Sequence, residues 1–175
     1  MRGLFIIYII IVSFAPLRKE RRLNIIPLNV GNKWTYGGES RFVLEVKKDT
    51  IIMGKSVFVL IARDSSHVLS VRYVLDVNDS IFYFNEMSKK FDFYFNQKPK
   101  IGDSFHFYDW HGKVVNMDAT VSTPKEKYSN LVRLRIETDI IGYHQDFYCK
   151  PGIGVVILRD EDGEIINFLS EYELK

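Results

Sequence analysis

VVILRDEDGEIINFLSEYEL, residues 155–174, reads as two strands folded on a turn. Apolar side chains recur at every second position on both sides of Asp162-Gly163, the period of a half-buried strand. Asp-Gly tolerates positive φ at both central positions of a two-residue type I′ loop, so Val155–Arg159 is expected to run antiparallel to Ile165–Leu169. Pairing across that loop sets Ile157 opposite Phe168 and Val155 opposite Ser170. Ile166, Phe168, Tyr172 and Leu174 then share one face, while Glu171 and Glu173 point to water.

The same alternation runs toward the front of the chain. RFVLEVK (Arg41–Lys47) puts Phe42, Leu44 and Val46 on one face. IIMGKSVFVLIA (Ile51–Ala62) reads as a hairpin closed by Gly54-Lys55, since glycine first suits a type II′ turn. VLSVRYVLDVNDSIFYF (Val68–Phe84) turns at Asn78-Asp79, which matches Leu75 with Phe82 and Tyr73 with Phe84. FDFYF (Phe91–Phe95), VVNMDATV (Val114–Val121) and LVRLRIE (Leu131–Glu137) add three more alternating strands. No window carries the i, i+3, i+4 apolar spacing of a substantial helix. About ten strands, closely spaced, predict an all-β fold: a single antiparallel, strongly curved sheet or half-open barrel with little helix.

Composition agrees. A chain of 175 residues with 46% hydrophobic and 14% aromatic side chains is long enough to bury one core. Lys+Arg 24 against Asp+Glu 22 leaves a net charge of +2, which supplies no field for nucleic acid. RKERR (Arg18–Arg22) and the Arg133/Arg135 face are basic, yet they read as solvated surface rather than as a base-stacking platform. The single Cys149 excludes an intrachain disulfide; in an aromatic strand it reads as a buried, inert thiol.

Residues 1–15 read as a leader: Arg2, then the apolar run LFIIYIIIVSFA (Leu4–Ala15), too short to span a bilayer as a helix. Ser13-Phe14-Ala15 has the small-x-small form that precedes cleavage. Pro16 and the basic cluster behind the run act against it, so an uncleaved membrane tether and a buried first strand stand as alternatives to a signal peptide. Residues 16–24 are a basic polar linker, and 25–175 the β domain. No membrane span is expected beyond the leader.

Two short motifs bracket the domain: PLNVGNKWTY (Pro27–Tyr36) and FYCKPGIGVV (Phe147–Val156). KIGDSF (Lys100–Phe105) echoes NVGNKW (Asn29–Trp34). In each, Gly31 or Gly102 supplies a permissive turn and a polar residue caps it before an aromatic enters a strand. The echo marks either two half-sheets of similar build or two turns that arose independently. Lys150-Pro151-Gly152-Ile153 suits a type II turn with Gly152 at positive φ, and Gly154 permits a bulge or a close backbone approach. Gly163 serves the closing turn. Trp34 and Tyr36 read as core or plug aromatics.

Together these motifs resemble a group of uncharacterised secreted or lipoprotein-like bacterial β domains, over nearly all of the chain behind the leader. The resemblance implies an envelope location, periplasmic or secreted, and a curved sheet in the manner of lipocalins or lipoprotein carriers. It implies no activity. The chain departs from the pattern in lacking a lipobox cysteine and in having Phe105 where tryptophan is common.

Catalytic patterns are thin. The histidines are His67, His106, His111 and His144, the tightest cluster being SFHFYDWHGK (Ser104–Lys113); there Asp109 and His111 would share a strand face with His106 opposite, which is poor metal geometry unless the chain turns at Asp109-Trp110. No nucleophile elbow, zinc-helix motif or phosphate loop occurs. Catalytic residues, metals and cofactors are therefore not expected, and an enzyme is the least favoured class. The favoured one is a module holding an apolar or lipid-like ligand against the concave face, with Phe42, Tyr73, Phe82, Phe84, Phe93, Phe95 and Met117 as candidate lining. The alternative is a structural module that docks an envelope protein through a sheet edge or aromatic patch.

Overall fold

The computed structural model describes residues 24–107, 110–138 and 143–175. The leader, most of the linker and Asp109 lie outside the described residues. Twelve strands follow in order: β1 (Lys33–Gly38), β2 (Phe42–Ile52), β3 (Lys55–Arg63), β4 (Val68–Val77), β5 (Ser80–Asn85), β6 (Lys90–Asn96), β7 (Ser104–Phe107), β8 (Trp110–Ser122), β9 (Lys127–Thr138), β10 (His144–Lys150), β11 (Gly154–Arg159) and β12 (Ile165–Glu173). The described residues contain no helix.

Sequence neighbours pair antiparallel within each half, and β1 pairs with β12, giving the order β6-β5-β4-β3-β2-β1-β12-β11-β10-β9-β8-β7. The sheet coils until its two edges approach: the rings of Tyr94 on β6 and Phe105 on β7 meet edge-on at 5.9 Å. The result is the curved, nearly closed barrel that the alternation predicts, with twelve strands in place of about ten. β2 absorbs what reads as two strands because a bulge at Lys47 lets Val46 oppose Leu60 and Lys48 oppose Val59, which inverts the alternation midway. Short β1, β7 and β10 hide inside motifs whose turn residues mask them.

Turn chemistry sets the registers, and two expectations need correction. The closing hairpin pairs Ile157 with Phe168 as expected, but the register then shifts so that Arg159 opposes Ile165. Asp162-Gly163 does not form a two-residue type I′ loop; only Gly163 takes positive φ, +84°. Asp160 drives the longer loop: its N–H donates to the Glu164 carbonyl at 3.2 Å, and its carboxylate accepts the Glu164 N–H at 2.8 Å. In the front hairpin Ile52 opposes Lys55, so the turn centres on Met53-Gly54, at φ 51° and 74°, and not on Gly54-Lys55. That is type I′, as at Asn78-Asp79. A methionine in the left-handed region carries a steric cost that asparagine largely avoids. Met53→Asn is therefore expected to raise stability by about 0.5–1 kcal/mol, read as a higher urea midpoint at unchanged slope.

The two front-half and back-half turns share one hydrogen-bond pattern. Gly31 N–H donates to Val46 O at 2.8 Å, and Val46 N–H donates to Asn32 O at 2.9 Å. Gly102 N–H donates to Val114 O at 2.9 Å, and Val114 N–H donates to Asp103 O at 2.9 Å. Both glycines sit at positive φ, +93° and +87°. Each valine is followed directly by a bulge, and each motif's aromatic, Trp34 or Phe105, is buried. Strands β1–β6 and β7–β12 thus begin as copies of one structural plan.

One end of the barrel is capped by the strap Asn24–Leu28. Gly152 N–H donates to Asn24 O at 2.7 Å, and Ile25 N–H donates to Gln97 O at 3.2 Å, so the strap crosses from the β10–β11 turn to the end of β6. Ile25 and Leu28 point into the core beneath it, with Trp34, Val46, Ile81 and Leu131.

Candidate functional site

The strap leaves an apolar cavity of about 240 Å³ on the inner face. The front half supplies Tyr36, Phe42, Leu44, Leu60 and Tyr83, the back half Phe147, Val155 and Leu158, and the strap contributes Ile26. Alternation explains the membership: on β2 and β3, Phe42, Leu44, Leu60 and Ala62 occupy every second position of paired strands. Tyr36 is fixed by a parallel stack on Phe42, centroids 4.7 Å apart, and by its hydroxyl donating to Val155 O at 3.0 Å. Tyr83 and Tyr94 touch at 4.6 Å. Tyr94 reaches the wall because β6 bulges there, turning both Tyr94 and Phe95 inward.

Polar groups on the wall are few and held. Asn167 donates to Ser40 O at 2.8 Å and Gly37 O at 3.3 Å. Burial pushes the Tyr36 and Tyr94 phenols well above their ordinary range, so both stay neutral hydroxyls. Arg72 is the one charged side chain on the wall among the described residues, its guanidinium carbon 5.5 Å from the Tyr83 ring centroid. The described wall is otherwise aromatic and aliphatic, with the polar groups of Ser70, Asn167 and the tyrosines beside the Arg72 cation.

The sequence-derived candidates scatter. Phe42 lines the cavity. Phe95 is buried in the core, and Met117 packs against it. Tyr73, Phe82, Phe84 and Phe93 lie on the opposite, outer face, since they alternate with the inward Val74 and Tyr83; this corrects their expected convergence on the concave side. There Phe82 meets Phe93 at 5.6 Å and Phe84 meets Phe91 at 5.3 Å. Phe93 also borders, with Phe95 and Phe105, a separate hollow of about 220 Å³ at the β6/β7 seam. Alternation could have pointed to Leu44, Leu60 and Tyr83; the contributions of Ile26 and Val155 depend on tertiary placement.

The motif residues behave as turn and packing devices. Ile153 N–H donates to Lys150 O at 2.9 Å with Gly152 at φ +82°, the expected type II turn. Trp34 Nε1 donates to Ile153 O, and Gly154, at φ +117°, lets the indole approach its backbone. The bracketing motifs therefore meet in space. Cys149 is buried and its thiol is pushed up to about 12 by burial, which keeps it unreactive. Strand pairing sets His106 opposite His111 in the β7–β8 register. No metal-binding group of side chains occurs among the described residues.

No family model matches the chain, and no curated protein matches it. Among solved structures, a Bacteroides fragilis protein with a YmcC-like fold, solved as a candidate exported protein, aligns over 87% of this chain and 100% of its own. The two are 12% identical with a TM-score of 0.53, a likeness of fold alone.

Proposed function

We propose that this chain is a non-catalytic, extracytoplasmic β domain that holds an apolar or amphipathic guest in the inner cavity. The carrying observation is the wall itself: aromatic and aliphatic side chains around about 240 Å³, with one cation. At roughly 30 Å³ per water-sized group, that volume suits a chain of about eight methylenes. Arg72 favours a guest with an anionic head, such as a medium-chain carboxylate, whose tail lies along Leu44, Leu60 and Leu158. The location rests on the expected leader and on a fold shared with a candidate exported protein; fractionation that finds the full-length chain freely soluble in the cytoplasm overturns it.

Titration calorimetry with octanoate, a carboxylate whose tail matches the cavity volume, tests the reading. Saturable binding is expected, tighter than that of octanol. Ala62→Phe places a ring in the cavity and is expected to weaken binding by more than about tenfold at unchanged melting temperature. Absence of saturable binding up to high micromolar probe removes this reading.

A second reading, docking of an envelope protein, is favoured by the outer aromatic face. Phe93 is 41% exposed there, in the cross-strand row of Phe82 and Leu75. Phe93→Asp separates the two readings: it abolishes partner capture if that face docks, and leaves probe binding in the cavity intact.

A further inference from the structure

The outer face of β8–β11 carries a cluster that the cavity does not use. Arg135 on β9 forks onto Asp146 of β10, Nε to Oδ1 at 3.0 Å and Nη2 to Oδ2 at 3.1 Å; Arg133 Nη2 also donates to Oδ2. Asp146 is 5% exposed. Burial pushes its carboxyl up, but hydrogen bonds and charge from Arg135 and Arg133 outweigh that and hold it below the ordinary carboxylate range. It is therefore an anion at neutral pH, and the stability it contributes is lost only as pH falls through that lowered value.

Arg159, the cross-strand neighbour of Asp146 on β11, does not join this pairing. Its guanidinium carbon lies 5.6 Å from the Tyr148 ring centroid, and that of Arg133 lies 5.7 Å from the same ring. The tyrosine thus holds two guanidinium groups in place from the strands on either side. The Nε atoms of both arginines are buried without a protein acceptor. Arg133, Tyr148 and Arg159 line an open hollow whose rim carries Asn116, Thr120 and Ser122, donors suited to oxygen; Asp118 is also on the rim, and the cluster of three arginines keeps a positive excess over it and Asp146.

We propose that this hollow is a binding site for a phosphate-class oxyanion, phosphate or sulfate. Two guanidinium groups whose Nε–H groups find no protein acceptor line the same hollow, and guanidinium forks match the oxygens of a tetrahedral anion. Arg133 and Arg159 hold the anion, Tyr148 positions them, and Thr120 and Ser122 add hydroxyl donors. The carboxylate of Asp146 fixes Arg133 so that its remaining donors face the hollow.

The test is a titration of the full chain with inorganic phosphate, followed through arginine Nε–Hε signals in ¹H–¹⁵N spectra. The Arg133 and Arg159 signals are expected to move together along one saturating curve, while that of Arg135, already bonded to Asp146, stays put. Arg159→Gln is expected to weaken binding by about tenfold or more at unchanged melting temperature, one charge-assisted hydrogen bond being worth that much. Arg159→Lys, which keeps the charge and loses the fork, falls between and serves if the glutamine variant does not fold. Sedimentation with phosphatidylglycerol vesicles against phosphatidylcholine vesicles identifies the source: retention on the first alone, lost in Arg159→Gln, assigns a lipid headgroup, and phosphate binding without retention assigns a soluble anion. Equal movement of every arginine signal, no saturation, or unchanged affinity in Arg159→Gln overturns the proposal.

Discussion

Trp34→Ala is expected to cost about 4 kcal/mol, enough to lower the melting temperature of a domain this size by about 10 °C. The indole is 1% exposed and is among the largest fully buried side chains. Its removal leaves a cavity where the first strand, the strap and the β10–β11 turn meet, and it strips the Ile153 carbonyl of its donor. Trp34→Phe separates the two contributions, keeping most of the apolar volume and losing the hydrogen bond; a loss of about 1–2 kcal/mol is expected there. Gly154→Ala tests the same junction from the other side. Its φ of +117° is strained for any residue with a Cβ, and that Cβ would sit against Trp34 Nε1. If the junction is one packing unit, the Trp34→Ala and Gly154→Ala losses are less than additive in a double-mutant cycle. Strict additivity, or a Trp34→Ala loss below 1 kcal/mol, would show that the bracketing motifs stabilise the domain separately.

The strand pattern was legible because period-two alternation is a local property, and the turns at Asn78-Asp79 and Pro151-Gly152 announce themselves by residue type. What stayed hidden is what bulges do. One extra residue at Lys47 turns the end of β2 over, and one at Tyr94 turns a second aromatic inward. Neither leaves a mark that alternation alone can read. The echo of NVGNKW in KIGDSF held more than its letters suggest: identical hydrogen bonds to Val46 and Val114, each followed by a bulge, tie the motif to the start of each six-strand half.

Which face is inside was the harder question, and β4 explains why. Its inward positions are Arg72, Val74 and Asp76, while Val71, Tyr73 and Leu75 point out, so hydrophobicity chooses the wrong side. The sheet coils strongly enough to shelter that outer face. Lys55 Nζ comes within 5.1 Å of the Phe91 ring although their strands lie three places apart, and Val57 and Val59 are buried there, apart from the main core. Both faces of β3–β6 are therefore apolar, and only the path of the strap and the β1–β12 pairing decides which one encloses a cavity.

Gln97→Leu is expected to detach that strap and cost about 3 kcal/mol, because Gln97 is fully buried and each of its amide atoms is engaged. Its Oε1 accepts the Ile26 N–H at 3.0 Å, and its Nε2 donates to Ile26 O at 2.8 Å and to Asp76 Oδ2 at 3.2 Å. An isosteric apolar side chain leaves a backbone N–H, a backbone carbonyl and a carboxylate unpaired at once, and an orphaned buried polar group costs more than the hydrogen bond it made. Gln97→Glu gives the sharper result, since it makes stability depend on pH. Burial, against the Gln97 hydrogen bond, already raises the Asp76 carboxyl above its ordinary value. A second carboxyl placed beside it cannot donate when ionised, and the two like charges oppose each other. Its folded pKa is then raised, so the stability it contributes is present below the ordinary carboxyl value and is lost as pH rises through the folded one. The variant is expected to melt closer to the parent at about pH 4, where the protonated carboxyl can replace one of the two amide donors, and well below it at about pH 7. Parallel melting curves across that range would mean that Gln97 does not hold the strap through its Nε2 donor. Because Ile26 is part of the cavity wall, the same variant is also expected to lose affinity for octanoate as pH rises, and to expose Asn24–Leu28 to proteolysis in step with that loss.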